Sequence, residues 1–113
     1  MHEAADPTVL VAGLLASRAR STLITRDLRG AQLLGPKLAI VNPPLWEIGH
    51  VAWFQEYWCL RYRDGCLAAD SMLPGADALY DSAKVAHDTR WDLPLPDLKA
   101  TRAYLANVLE RVQ

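Results

Sequence analysis

Cysteine is scarce in this chain of 113 residues: Cys59 and Cys66 are the two it has, and no CxxC spacing joins them. Zinc-ribbon and thioredoxin-type redox chemistry are thereby excluded, and both residues read as reduced, small hydrophobes. Positive charge is not in excess either. Twelve Lys and Arg against thirteen Asp and Glu leave a net charge of -1, and no basic run offers an electrostatic footprint for nucleic acid. No apolar stretch approaches the roughly 18 residues that a membrane span needs. Met1-His2-Glu3 lacks the positive start of a secretory signal, so the expected location is cytoplasmic. GxSxG, a phosphate-cradling glycine loop and HExxH are all missing. Internal repeats and low-complexity tracts are missing too. What remains is one globular domain's worth of residues, 51% of them hydrophobic and 22% charged, enough to bury a core.

The punctuation predicts an all-α chain. Asp6-Pro7 is a helix start, with a carboxylate for the first-turn amides and a proline that loses no needed bond, and the helix is expected from Pro7 to Leu28. Its apolar stripe runs through Leu10, Leu14, Ile24 and Leu28, interrupted at core spacing by Ser17 and Ser21. A single turn fits at Ala31 to Leu34. Asn42-Pro43 repeats the capping arrangement and opens a helix expected to reach Tyr62, with Trp46, His50, Trp53, Tyr57 and Leu60 as its seam and Phe54 and Trp58 widening it. Three of the four tryptophans lie there, which predicts a central helix in a bundle. Asp64-Gly65 is expected to end it and lead into a loop reaching Pro74-Gly75. A short helix follows from Ala76 to Ala86, then a prolyl connector through Pro94 and Pro96. Asp97 caps a last helix carrying Leu98, Thr101, Leu105, Val108 and Val112 at seam spacing, with Tyr104 and Leu109 alongside. No strand is expected. Three long helices and one short one leave a bundle that lacks a fourth partner, which a second copy of the chain or the rest of a longer protein could supply, unless a three-helix packing closes unaided.

His50 is the first candidate for chemistry, because a buried imidazole in an aromatic seam must satisfy both ring nitrogens. Spacing alone leaves two readings: a core histidine bonded to another helix, with Ser17 or Ser21 available as partners, or a metal ligand. One histidine is not a metal site, and Glu56, six residues on, is carried well round the helix from it. Around Trp91, the connector holds His87, Asp88, Arg90 and Asp92. There Arg90 either offers its guanidinium to a substrate carboxylate or pairs with Asp88 or Asp92 and pins the connector.

The run from Asn42 to Glu56, NPPLWEIGHVAWFQE, closely resembles the first signature of the DinB-like iron-binding domain of ergothioneine-type sulfoxide synthases, W-x-x-G/A-H-x-A-W-F-x-E after a proline-rich helix start. The stretch ALYDSAKVAHDTRWDLPLPDLKATRAYL looks more like the selenoneine synthase branch. The resemblance implies a DinB-like helical bundle, residues 1–113 forming a single domain that is the truncated N-terminal part of a larger two-domain enzyme. It implies a non-haem Fe(II) oxidoreductase that uses dioxygen to form a C–S or C–Se bond at the imidazole of hercynine, with a thiol, thio-sugar or seleno-sugar as donor. It also implies that His50 is a metal ligand. The family's other two histidines stand four apart on a fourth helix that this chain does not reach, so the chain alone is expected to be inactive and to hold no iron tightly. Arg90 and His87 are the positions that fit the family's substrate-contacting connector, weakly, and no residue here is assigned a catalytic role. Two other readings stand beside this one: a non-catalytic helical module that dimerises across its exposed seam, and a DinB-like metal-dependent thiol transferase. Neither nucleic acid nor membrane is an expected partner.

Overall fold

Asp6 opens helix α1 (Pro7–Thr25) as expected, its carboxylate accepting from the Thr8 amide at 2.9 Å with Pro7 in the first turn. The computed structural model describes residues 6–113; Met1 to Ala5, His2 among them, lie outside the described residues. α1 ends three residues before Leu28 and buries none of its side chains. Its apolar stripe largely misses the core: Leu14 is half-buried, Leu10 is 53% and Ile24 79% exposed, and it is Leu28, beyond the helix end, that packs against the core. What holds α1 is polar. Arg18 donates to the Leu105 carbonyl at 2.6 Å and to Gln55, and Arg102 reaches the carbonyls of Thr25 and Arg26 at the helix C-terminus.

A 3-10 turn at Gly30–Leu33 leads to helix α2 (Pro44–Glu56). Pro43, not Asn42, occupies the cap position; Asn42 instead donates to Glu47 and accepts from Arg90. α2 widens into a π turn over Tyr57–Arg61, which brings the Arg61 side chain inward. The residues after it are not a plain loop. Strands β1 (Tyr62–Arg63) and β2 (Cys66–Leu67) pair antiparallel, Tyr62 opposite Leu67 and Arg63 opposite Cys66. Asp64 and Gly65 both adopt positive φ, 51° and 86°, which makes Asp-Gly the two-residue turn of a hairpin and overturns the expectation of no strand.

Helix α3 (Ala76–Tyr80) has five residues and stops well short of Ala86. Asp81 is extended, and its carboxylate takes the Ala83 amide at 3.0 Å, so a new turn begins where the helix would have continued. A 3-10 turn at His87–Thr89 and the prolyl connector then lead to helix α4 (Leu98–Val112), capped by Asp97 at 2.8 Å from the Ala100 amide.

The core is closed by α2, α3 and α4: Trp46, Ile48, Ala52 and Trp53 meet Ala76 and Tyr80 and then Tyr104, Leu105 and Val108. On α2 the buried line is Leu45, Gly49, Ala52 and Glu56. Of the expected seam, Trp46 and Trp53 are buried as read, His50 and Tyr57 form its half-buried edge, and Phe54 and Trp58 are 53% and 51% exposed. Gly49 is the notch in that line. A Cβ there would overlap Cζ, Cε1 and Oη of Tyr80, whose fully buried ring approaches the glycine with its hydroxyl end. Glu56 is buried about two turns further on. Its oxygens accept from Ser71 Oγ, from the Met72 amide at 2.7 Å and from Tyr104 Oη at 2.7 Å, which joins α2, the loop after the hairpin and α4. Burial, with the Glu56 carboxylate adding to it, pushes the Tyr104 phenol upward and keeps it a donor.

Arg61 and Asp77 form a bidentate pair at 2.7 and 2.9 Å, with Arg61 buried and Asp77 about half exposed. Beside that guanidinium the Asp77 carboxyl is lowered from 3.8 to about 2. Its contribution to stability is therefore present above the ordinary carboxylate range and fades as the pH falls from about 4 toward 2. In melting curves of wild type and Asp77→Asn, the gap in Tm should be constant above that window and close within it.

The Tyr80 hydroxyl is buried without a well-formed hydrogen bond, Thr101 being the one side chain that acts on it. Burial raises this phenol to about 12. Tyr80→Phe keeps the ring on Gly49 and removes the orphan, so urea denaturation should find the variant unchanged or more stable by about 1 kcal/mol.

Candidate metal-ligand site

His50 stands on the edge of α2 inside a column of rings. Trp46, one turn before it, stacks on its imidazole at 4.7 Å and 9°; Trp53 follows at 5.8 Å and 23°, and Phe54 lies at 6.0 Å. The column continues through Tyr57, 5.0 Å from Trp53. Each end carries a buried guanidinium: Arg90 lies 4.1 Å over the Trp46 ring and Arg61 5.7 Å over Tyr57. Regular helical spacing builds this row, since Trp46, His50, Trp53 and Tyr57 are separated by one turn each.

The polar atoms of the column are met by α3. Trp46 Nε1 donates to the Leu79 carbonyl at 2.6 Å, Trp53 Nε1 to Asp77 Oδ1 at 2.7 Å, and His50 Nδ1 lies 2.8 Å from the Tyr80 carbonyl. Ser17 and Ser21 are not the partners of His50. They lie across from it, on the α1 wall of an open cleft of about 360 Å3 whose α2 wall is His50, Val51, Phe54 and Gln55. The separation of α1 from the core creates that space. His50 Nε2 has no hydrogen-bond partner among the described residues, so the imidazole meets the cleft with one nitrogen uncommitted.

Arg90 sits elsewhere. It is buried, with Nη1 on Asn42 Oδ1 at 2.9 Å and Nη2 on the carbonyls of Val85 and Ser82 at 2.8 and 3.3 Å; its Nε is buried without a partner. Neither Asp88 nor Asp92 pairs with it, and no free fork remains for a substrate carboxylate. Its geometry is that of a pin holding the connector to α2. His87 Nε2 lies 2.9 Å from the Leu38 carbonyl with its ring edge-on to Trp91, and Trp91 Nε1 donates to the Leu34 carbonyl at 3.1 Å. These contacts staple the connector to the segment before α2. Neither Arg90 nor His87 lines the cleft at His50.

Among the described residues, no group of three His, Cys, Asp or Glu is placed to hold a metal ion. His50 suits a metal as a single ligand and does not by itself make a site. Sequence reasoning passed over Tyr80, Asp77, Arg61 and the structural use of Glu56. One signal was available: Gly49 and Ala52 stand one turn apart on a helix otherwise rich in large side chains, a pair of small residues that marks close approach of a bulky neighbour.

A family model described as the DinB superfamily matches residues 13–113. Among curated proteins, the hercynine oxygenase of Mycobacterium tuberculosis is 32% identical over 104 residues, which are 91% of this chain and 24% of that protein. The hercynine oxygenase of Mycolicibacterium smegmatis is 33% identical over 95 residues, 83% of this chain and 22% of its own length. The chain thus spans about a quarter of the length of the curated relatives it matches. With nearly the whole fold matched, from the first helix to Gln113, the chain belongs to the DinB superfamily.

Proposed function

We propose that this chain is the N-terminal helical part of a hercynine-oxygenizing enzyme, in which His50 is one ligand of a non-haem iron. The observation that carries the proposal is the state of His50: a ring held by stacking and by one nitrogen, with the other nitrogen unpartnered among the described residues and the residue lining an open cleft. A core histidine has no need of that opening. The likeness to two hercynine oxygenases supports hercynine as the substrate. Iron, when bound, would supply activation of dioxygen for bond formation at the hercynine imidazole. The further ligands would come from outside this chain. The likeness of residues 78–105 to the selenoneine branch is the finer part of the proposal, in which the donor element is selenium or sulfur.

The chain's own residues have three tasks in this reading. Trp46 and Trp53 keep the imidazole plane fixed and water away from its faces, α3 holds Nδ1, and Arg90 with His87 keeps the connector against α2.

Anaerobic titration of Fe(II) into the isolated chain should give weak binding, because a single imidazole gains nothing from chelation. His50→Ala should weaken it by a further tenfold or so. Tight, stoichiometric binding that survives His50→Ala would contradict the assignment.

A further inference from the structure

The five residues of α3 touch the aromatic column at three successive rings, and every one of those contacts ends on a polar atom: Leu79 C=O at Trp46, Tyr80 C=O at His50, Asp77 carboxylate at Trp53. We infer that α3, seated by the Tyr80 ring in the Gly49 notch, is the positioning element that fixes the His50 imidazole as its Nδ1–H tautomer and turns the Nε2 lone pair into the α1–α2 cleft. A carbonyl oxygen can only accept, so the 2.8 Å contact requires hydrogen on Nδ1. A neutral ring then has its lone pair on Nε2, the form in which imidazole ligates metal or accepts a proton.

The seat matters as much as the bond. Tyr80 contributes its carbonyl to His50 and its ring to Gly49, adjacent residues of α2, so the position of the carbonyl is set by how closely the ring can approach. Any side chain at residue 49 would lift the ring, and the carbonyl with it. Asp77 is fixed in turn by the buried Arg61 through two bonds, so the Trp53 side of the column is held by an ion pair that does not touch His50. Trp46 and Trp53, each pinned through its indole N–H, then leave the imidazole little freedom to flip between them. The inference rests on the ligand reading of His50 for its purpose and not for its geometry.

The test is the imidazole nitrogen spectrum of the metal-free, 15N-labelled chain at a pH where the rings are neutral. His50 should be found as Nδ1–H in about tenfold excess, as one well-formed buried hydrogen bond allows. His87 serves as the internal comparison, because its Nε2 faces the Leu38 carbonyl at 2.9 Å and it should show the opposite tautomer. Tyr80→Phe, which keeps both ring and carbonyl, should leave the His50 tautomer unchanged. Gly49→Ala should erode the excess several-fold; Tyr80→Leu, which empties the notch without a clash, should do the same and covers the case in which Gly49→Ala does not fold. Finding His50 as Nε2–H in the wild type, or unmoved in a folded Gly49→Ala or Tyr80→Leu chain, would overturn the positioning role. Because no metal is present, that failure is separate from failure of the ligand assignment, which would leave the tautomer in place and abolish only the effect of His50→Ala on iron binding.

Discussion

The contact between the Tyr80 ring and the bare Cα of Gly49 is the constraint on which the rest of the structure depends. It brings a five-residue helix, too short to be stable by itself, flat against α2. Once α3 is seated there, its carbonyls and its one carboxylate fall opposite the donors of the aromatic column, so the polar cost of burying two indoles and an imidazole is met by a segment whose own backbone needed partners. The same contact places Tyr80 beside Tyr104, at 6.4 Å and 22°, and thereby joins α4 to the assembly. Glu56 completes the junction from the other end of α2 by accepting from α4 and from the loop after the hairpin.

Two faces of α2 consequently have different fates. The face toward α3 and α4 is packed and satisfied, whereas the face toward α1 keeps His50 at its border and leaves Phe54 and Trp58 exposed. α1 is tied across that opening by guanidinium groups and not by side-chain packing. A polar tether preserves a cleft that interdigitated leucines would have filled. The uncommitted imidazole nitrogen and the open cleft are thus two outcomes of the same division of labour.

Much of this was legible in the residues. The Asp6 and Asp97 caps, the aromatic row of α2, the prolyl connector and the α4 seam follow from capping chemistry and helical period, and the structure has each of them. Local signals gave out where tertiary contacts decide. Apolar spacing in α1 could not tell that α2, α3 and α4 would close the core without it. Asp81 ended α3 early through a side-chain bond that competes with the helix. Asp64-Gly65 is equally a helix stop and a hairpin turn, and the choice rests on the strands it joins. His50 could be singled out from its setting, but its partner was a backbone carbonyl, which no sequence spells out. Arg90 was notable in the connector for its charge; its use is to lie on Trp46 and hold Asn42.

If the Gly49 notch governs how α3 sits, the two residues must be energetically inseparable, and a double-mutant cycle in urea denaturation measures that directly. Gly49→Ala should cost about 3 kcal/mol with Tyr80 present, from overpacking against its ring, and less than about 1 kcal/mol in the Tyr80→Ala background, where the added methyl finds room. Equal costs in both backgrounds would mean that the notch and the ring act independently, and would contradict the account.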